Sequence, residues 1–494
     1  MKYLVAFLAF AFALPFAQSE EVDERIVKIH VVQQPYLATK PWSRSSTKDV
    51  SGTGFIYKPG HIITNAHVVK FARQVYIQPY QSSLKIEAEV AFTAPGIDLA
   101  ILRPVEDELS DFAALEIDPE IPKVASTVKI HGYPLGGDEL AITEGVISRI
   151  EVASYNEATY GLRIQVDAAI NSGNSGGPAF VDGKLVGIVF SRIREADNIG
   201  YVIPTDEVVQ FLDDVDDGTY DGKWLFPYHT TRLQNQALRA RYGLSSDMGG
   251  LLITDTLDDR IGAKGLQSED ALLKIGEHDI DRTGNVRIRP DLRLGFRYMI
   301  PKLAVDGRLP LTLIRDGKTI ETKIELTRDQ NRIVPYIGEA QPEYFIYGPL
   351  SFTVASQEFV MGMPKNLRQT LAERGFEPLY RRLEQRSDAA QELVICPTKM
   401  FAHPMTKGIS DPLYSTLKRL NGETIVDLEH VVSILDKLGP KDTATFEFST
   451  VDHTRTNRVV LEHGAVLESI EDILSDNGIR RPYSANLRSL WSGY

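Results

Sequence analysis

The sequence predicts a mainly β protein of several domains, and three observations lead there. At 494 residues the chain is too long for one core, and its length favours about three domains. Through the first two hundred or so residues, short β-branched and apolar runs are cut by Gly and Pro turn signals, the pattern of a β-barrel or sandwich. In the second half, Leu272-Leu273-Lys274-Ile275-Gly276-Glu277-His278-Asp279-Ile280 parallels Leu417-Lys418-Arg419-Leu420-Asn421-Gly422-Glu423-Thr424-Ile425. Each is a strand, a turn and a return to an apolar residue. Each also follows an apolar strand (251–253; 393–395) and precedes a helix-like stretch and later strands (311–314; 445–448).

The chain opens on Lys2 and the apolar run 3–16, then Gln18-Ser19-Glu20-Glu21, which reads as a secretory signal peptide over 1–19. Cleavage after Ala13, Ala17 or Ser19 fits equally. An uncleaved anchor is the alternative, but the run falls short of the roughly 20 apolar residues a span needs. No later stretch is long and apolar enough, so no stable span is expected after signal removal. Export to a periplasm is the expected destination. Net charge is -13 with both signs interspersed, and no basic stripe carries aromatics, which excludes nucleic acid as a partner. The single cysteine, Cys396, has no internal partner and lies in the apolar run Leu393-Val394-Ile395-Cys396, so a buried, inert thiol is expected. Stability rests on core burial.

The first domain is expected over 20–213. A strand at 27–32 precedes a polar loop at 33–50. Then come Gly52-Thr53-Gly54-Phe55-Ile56-Tyr57, the turn Lys58-Pro59-Gly60, and His61-Ile62-Ile63-Thr64-Asn65-Ala66-His67-Val68-Val69. Further strands are expected at 75–77, 84–90, 99–102, 127–131, 140–150, 162–166, 179–181 and 185–190, with helical periodicity only at 205–215.

Between apolar runs at 162–170 and 185–190 lies Asn171-Ser172-Gly173-Asn174-Ser175-Gly176-Gly177-Pro178. Glycine accepts backbone angles that a Cβ forbids, so such a loop can aim several N–H groups at one point beside Ser175 Oγ. A Gly-rich hairpin with an incidental serine is the bland alternative. A serine hydroxyl needs a base within reach, and imidazole titrates near working pH. His67 closes Thr64-Asn65-Ala66-His67 just after a strand, and Asp98 opens Asp98-Leu99-Ala100-Ile101-Leu102 just before one. A structural histidine and a turn-capping aspartate are the bland readings. A carboxylate on the far ring nitrogen fixes the tautomer, and the order His, Asp, Ser in a β-rich chain is that of chymotrypsin-like enzymes.

Thr64-Asn65-Ala66-His67-Val68-Val69, Asp98-Leu99-Ala100-Ile101-Leu102, Gly173-Asn174-Ser175-Gly176-Gly177-Pro178 and Asn198-Ile199-Gly200-Tyr201-Val202-Ile203-Pro204 resemble the signature blocks of HtrA/Deg serine proteases. The resemblance implies a chymotrypsin-like double β-barrel followed by two PDZ-like α+β domains. It implies His67 as general base, Asp98 as its orienter and Ser175 as nucleophile, with an oxyanion hole from the backbone of Gly173 and Ser175, aided by Asn174. In this fold the residue six before the nucleophile lies at the base of the primary pocket. Here that is Ala169, beside Ile170; the opposite wall is expected from Val189, Phe190, Ser191, Arg192 and the segment near Ile199. No carboxylate is present to pair Lys or Arg, so cleavage after small or medium apolar residues is expected. Digestive enzymes of this fold are activated when a new ammonium pairs with an Asp before the nucleophile. Neutral Asn174 stands there instead, and the resemblance implies reversible rearrangement of loops at 133–143, 168–173 and 190–198.

An acidic, Gly-bearing linker is expected at 214–222, then PDZ-like modules at 223–330 and 331–464 and a tail at 465–494. A PDZ groove adds a peptide C-terminus as a strand and holds its carboxylate in a backbone nest. The first module's Pro227-Tyr228-His229-Thr230-Thr231 departs from the pattern. The second has Tyr347-Gly348-Pro349-Leu350-Ser351-Phe352, making Gly348, Leu350 and Phe352 the loop candidates. Arg293-Leu294-Gly295-Phe296-Arg297-Tyr298-Met299-Ile300 and residues 345–352 resemble two-PDZ Deg proteases of plant organelles and their bacterial relatives, which implies a trimer or hexamer. The leading expectation is an ATP-independent serine endopeptidase for unfolded polypeptides, needing no metal or cofactor. The alternative is a chaperone or PDZ scaffold whose protease is mostly latent.

Overall fold

The computed structural model describes residues 23–106, 109–135, 137–154, 160–192, 200–256, 265–328, 331–449 and 456–493. The expected signal peptide and Ile199 lie outside them.

The strands of the first barrel are β1 (Ile26–Gln33), β4 (Lys48–Lys58), β5 (His61–Thr64), β6 (Ala72–Gln78), β7 (Ile86–Ala94) and β8 (Leu99–Pro104); β2 (Tyr36–Leu37) and β3 (Lys40–Arg44) form a small hairpin beside them. They close in the order β1-β4-β5-β8-β7-β6. One helical turn, α1 (Ala66–Val69), leaves the end of β5. The second barrel joins β9 (Thr127–Gly132), β10 (Ala141–Ser154), β11 (Tyr160–Asp167), β12 (Pro178–Val181), β13 (Lys184–Arg192) and β14 (Gly200–Pro204) in the order β10-β11-β14-β13-β12-β9, and α2 (Thr205–Asp214) follows. Asp182 and Gly183 both take positive φ (50° and 77°), the type I′ geometry that matches the twist of the β12–β13 hairpin.

The faces that the two barrels turn towards each other meet in one seam that includes Ile26, Phe55, Ile63, Leu99, Phe180, Ile188, Phe190 and Ile203. The site lies along this seam. The core of the second barrel is continuous with that of the first PDZ-like module, so Ile147, Leu162 and Val189 share a cluster with Tyr228, Leu272 and Leu313. The expected linker folds back: Asp214 accepts from the N–H groups of Asp221 and Gly222, and Arg328 pairs with both Asp214 (3.2 Å) and Asp221 (2.7 Å).

The first module contains β15 (Tyr228–Arg232), β16 (Leu251–Thr256), β17 (Ala271–Ile275), β18 (His278–Asp279), the separate hairpin β19–β20 (Asn285–Arg289, Leu292–Gly295), β21 (Arg308–Arg315) and β22 (Lys318–Glu325). The second contains β23 (Tyr344–Tyr347), β24 (Leu350–Val354), β25 (Val394–Ile395), β26 (Thr416–Leu420), β27 (Glu423–Thr424), β28 (Thr443–Ser449) and β29 (Thr456–Glu462). The strand–turn–strand repeat read from sequence is β17–β18 in one and β26–β27 in the other. The tail, expected as a segment apart, belongs to the second module: the helix His463–Asp476 puts Val466 into its core, and Leu487 and Trp491 join it there. Cys396 is buried in the same core, and burial pushes its thiol up.

Candidate active site

The first barrel supplies an imidazole and a carboxylate. Asn65 precedes α1 and donates from Nδ2 to Asp98 O at 2.9 Å, while Ala66 N–H donates to the same carbonyl at 3.2 Å. Asp98 sits at the turn into β8 with φ +64°, a conformation uncommon for a residue with a Cβ. That backbone turns its carboxylate onto α1. Oδ1 accepts the His67 N–H at 2.8 Å, and Oδ2 meets His67 Nδ1 at 2.6 Å. The Asp98 side chain is 7% exposed and that of His67 is 45% exposed, so the pair is rigid on one side and open on the other. Burial alone lowers the imidazole pKa, but the charge and hydrogen bond of Asp98 outweigh it and hold it above the ordinary value. The carbonyls of His67 and Val68 accept from Gln33 Nε2 (3.1 and 2.8 Å). Past α1, Phe71 N–H donates to Glu339 Oε2 at 2.8 Å; the turn before Glu339 is held by Glu358 of the second module, which accepts from Ile337 and Gly338 N–H.

The second barrel supplies the loop at 171–177. Gly176 N–H donates to Val189 O and Val189 N–H to Gly177 O, both at 2.8 Å, which ties the loop to β13. Gly173 has φ +101°, and a Cβ there would lie 2.3 Å from Tyr133 O. Thr53, on β4 of the other barrel, joins the two halves: its N–H donates to Ser175 O (2.9 Å), its Oγ1 donates to Gly173 O (2.7 Å), and the same Oγ1 accepts Tyr133 N–H (2.9 Å). Sequence reading passed over Thr53, though its place in Gly52-Thr53-Gly54 is the kind of small-residue strand that permits close backbone approach.

Among the described residues, the N–H groups of Gly173 and Ser175 donate to no protein acceptor. The expected contribution of Asn174 is corrected: its N–H is committed to Asn171 O at 3.1 Å and closes the turn. The Asn174 side chain is buried, where an unpaired carboxylate would carry a large desolvation penalty. Ser175 is half-buried, and its Oγ donates to Phe190 O at 3.4 Å; no hydrogen bond joins it to His67 among the described residues. The Phe190 ring lies edge-on to the His67 ring with centroids 6.4 Å apart.

The expected pocket residues divide. Ile170 is buried and packs on Gly200, where a Cβ would meet it at 2.1 Å. Ala169 is exposed beside it. Val189 is corrected as a wall: it is 0% exposed, inside the second barrel. Phe190 points the other way, with its ring 5.0 Å from the Arg163 guanidinium. The Ser191 side chain and Ile199 are not among the described groups. Arg163, fully buried, donates to Leu162 O and Ile97 O. Beside it Glu207 accepts Leu162 N–H at 2.6 Å and pairs with Lys223. Burial works against the Glu207 charge, yet Lys223 and Arg163 hold its carboxyl below the ordinary value. An arginine amid the apolar strand Leu162–Val166 was the available signal for this cluster.

The second module's loop candidates are also corrected. Leu350 and Phe352 are buried, and β23 pairs with β24 along the edge that contains them. The outer edge of β23 is taken in turn by the tail, where Ile346 N–H donates to Pro482 O and Ser484 N–H to Tyr344 O. Gly348 (φ +53°) faces Val466 of the tail helix. Among the described residues, the β23 edge is thus covered along 344–346. In the first module, a cavity of about 420 Å³ opens between Leu225, Phe226, Tyr298 and Ile300 of the module and Val152 and Leu162 of the second barrel.

Residues 52–188 match a trypsin-like peptidase domain and residues 334–486 match a PDZ domain. The fold and the matches therefore define a trypsin-like peptidase followed by a PDZ domain. The chain is 31% identical to Protease Do-like 2, chloroplastic, of Arabidopsis thaliana over 94% of its own length and 75% of that relative's. It is 32% identical to Protease Do-like 4, mitochondrial, of the same plant over 68% of its length, spanning 65% of that protein. Among solved structures, the HtrA-type protease AlgW with tripeptide overlays with a TM-score of 0.49 at 20% identity, covering 62% of this chain and 94% of that one. The chain belongs to the Deg/HtrA family of serine proteases.

Proposed function

We propose that this chain is an ATP-independent serine endopeptidase that degrades unfolded or damaged polypeptides. His67 acts as general base, Asp98 orients it, and Ser175 is the nucleophile. The observation that carries the reading is the two-point grip of Asp98 on His67, through N–H and Nδ1, on a ring that is 45% exposed. In catalysis the Ser175 proton passes to His67 Nε2 as Oγ attacks the scissile carbonyl. The imidazolium then gives that proton to the leaving amine, and water completes the second half. Gly173 and Ser175 N–H stabilise the oxyanion. The small, uncharged Ala169 with apolar Ile170 beside it supports cleavage after small or medium apolar residues.

A second reading has one observation in its favour. Ser175 Oγ faces Phe190 O rather than the imidazole, so the resting enzyme is latent, and a χ1 rotation of Ser175 with movement of the Phe190 strand engages it. We place the chain as an exported, periplasmic trimer or hexamer; the apolar N-terminal run supports export. Among the described residues no helix is long and apolar enough to cross a membrane.

The test is digestion of casein by wild type and by Ser175→Ala, with N-terminal sequencing of the products. Wild type alone should cut, a phosphonate probe should label Ser175, and the residue before each cut should be Val, Ala or Leu. Equal cutting by both proteins would end the reading.

A further inference from the structure

Lys28 lies on β1 with its side chain 9% exposed, and its ammonium reaches out of the first barrel to the second. It donates to the Gly137 carbonyl at 2.8 Å and to Asp138 Oδ1 at 2.6 Å. Asp138 is largely solvated, so the shielded half of this clamp is the charge-assisted bond to the carbonyl. Gly137 N–H in turn donates to Pro134 O at 3.3 Å, which closes the turn after β9. The residues flanking Pro134 both touch the nucleophile loop. Leu135 N–H donates to Ser172 O at 2.8 Å, and Tyr133 N–H donates to Thr53 Oγ1, the hydroxyl that holds Gly173 O.

These contacts fix one peptide plane. A trans peptide points its C=O and N–H in opposite directions, and no peptide here is cis. With Ser172 O pinned to Leu135, Gly173 N–H faces away from that turn and stays free. If the turn moved, the Ser172–Gly173 peptide could flip and replace that donor with a carbonyl.

We infer that Lys28 is a positioning residue for the oxyanion hole: its clamp on Gly137 and Asp138 holds the turn whose Leu135 N–H sets the orientation of Gly173 N–H. The inference rests on the triad reading. It gives the chain a fixed internal ammonium while the position before the nucleophile is the neutral Asn174.

The test compares wild type with Lys28→Met, Lys28→Arg and Asp138→Asn in the full chain. Steady-state kinetics on a peptide amide are read with the affinity of a matching peptide boronate, whose tetrahedral adduct places oxygen in the hole. Losing an oxyanion donor outright costs on the order of 10²–10³ in turnover; loosening one by Lys28→Met should lower kcat about 10- to 100-fold. KM should hold within about twofold, boronate affinity should fall by the kcat factor, and the acid limb of the pH profile should not move, because His67 and Asp98 are untouched. Lys28→Arg should recover most of the loss. Asp138→Asn, exposed, should cost about twofold and remove the salt dependence of kcat. An unchanged kcat and boronate affinity in Lys28→Met would overturn the inference, as would a loss in which KM and the acid limb shift along with kcat. Should Lys28→Met fail to fold, Lys28→Gln replaces it, and wild-type kcat and boronate affinity in that variant overturn the inference equally. Loss of activity in Ser175→Ala with no effect of Lys28→Met rejects the clamp alone; an active Ser175→Ala rejects the triad reading beneath it.

Discussion

The two barrels furnish their halves of the site in different states of completion. On the first, Asp98 grips His67 at two points, and its carbonyl holds Ala66 and Asn65, so the proposed base is already oriented. On the second, Ser175 is bonded to Phe190 O, and its loop is located from outside, by Thr53, the 133–135 turn and β13. The difference teaches where control resides. A carboxylate and an imidazole a few residues from two paired strands need only local geometry, whereas the loop of small residues takes its shape from neighbours far along the chain.

That contrast can be broken most severely on the locked side. Asp98→Asn should lower kcat about 10⁴-fold by releasing the tautomer, and kcat on a peptide amide measures it. The next largest effect concerns the support of both halves. Glu207→Gln leaves Lys223 and Arg163 without their buried counter-charge and should destabilise the protein by about 3–5 kcal/mol, read as a drop in the urea midpoint; a change confined to activity would argue against that placement. On the adjustable side, Thr53→Val removes both the donor to Gly173 O and the acceptor for Tyr133 N–H. It should reduce kcat about tenfold, a fraction of the on-the-order-of-10² loss for a missing oxyanion donor, with KM little changed.

The acid limb comes next. The base must be neutral to act, and its pKa is raised, so kcat/KM should fall at a pH above the ordinary 6.5 of histidine. Proton NMR of the His67 ring should show that raised value, and Asp98→Asn should return it towards or below 6.5. The sign for stability is the opposite of that for activity. A raised folded-state pKa stabilises below the unfolded value, and that contribution disappears as pH rises through the folded one. The smallest effect is expected at Glu339→Gln, which weakens the tie from the second module to Phe71 and should change kcat by about twofold; an unaltered rate would mean that this tie does not reach His67.

Much of this was legible in the sequence because it depends on local chemistry. The β-strands, the order of His67, Asp98 and Ser175, and the paired strand–turn–strand repeats follow from apolar alternation and from glycines at turns. Other features were not legible. Nothing near Thr53 says that its hydroxyl bridges barrels. Val189 reads as a pocket wall until strand pairing turns it inward, since side chains alternate faces. Gly348, Leu350 and Phe352 read as a peptide nest because their local pattern fits one, but the tail and β23, from either side in sequence, occupy the edge.

By itself, then, the sequence determined the class of fold, the family and the candidates proposed as reactive groups, because these are written in residue type and short-range spacing. Tertiary structure alone decided which N–H groups stay free, where Ser175 Oγ points, how Lys28 of one barrel reaches the turn of the other, and that the second module's β23 edge is covered along 344–346. Those outcomes depend on which distant backbones approach within hydrogen-bonding distance, and that is settled only when the barrels and modules pack.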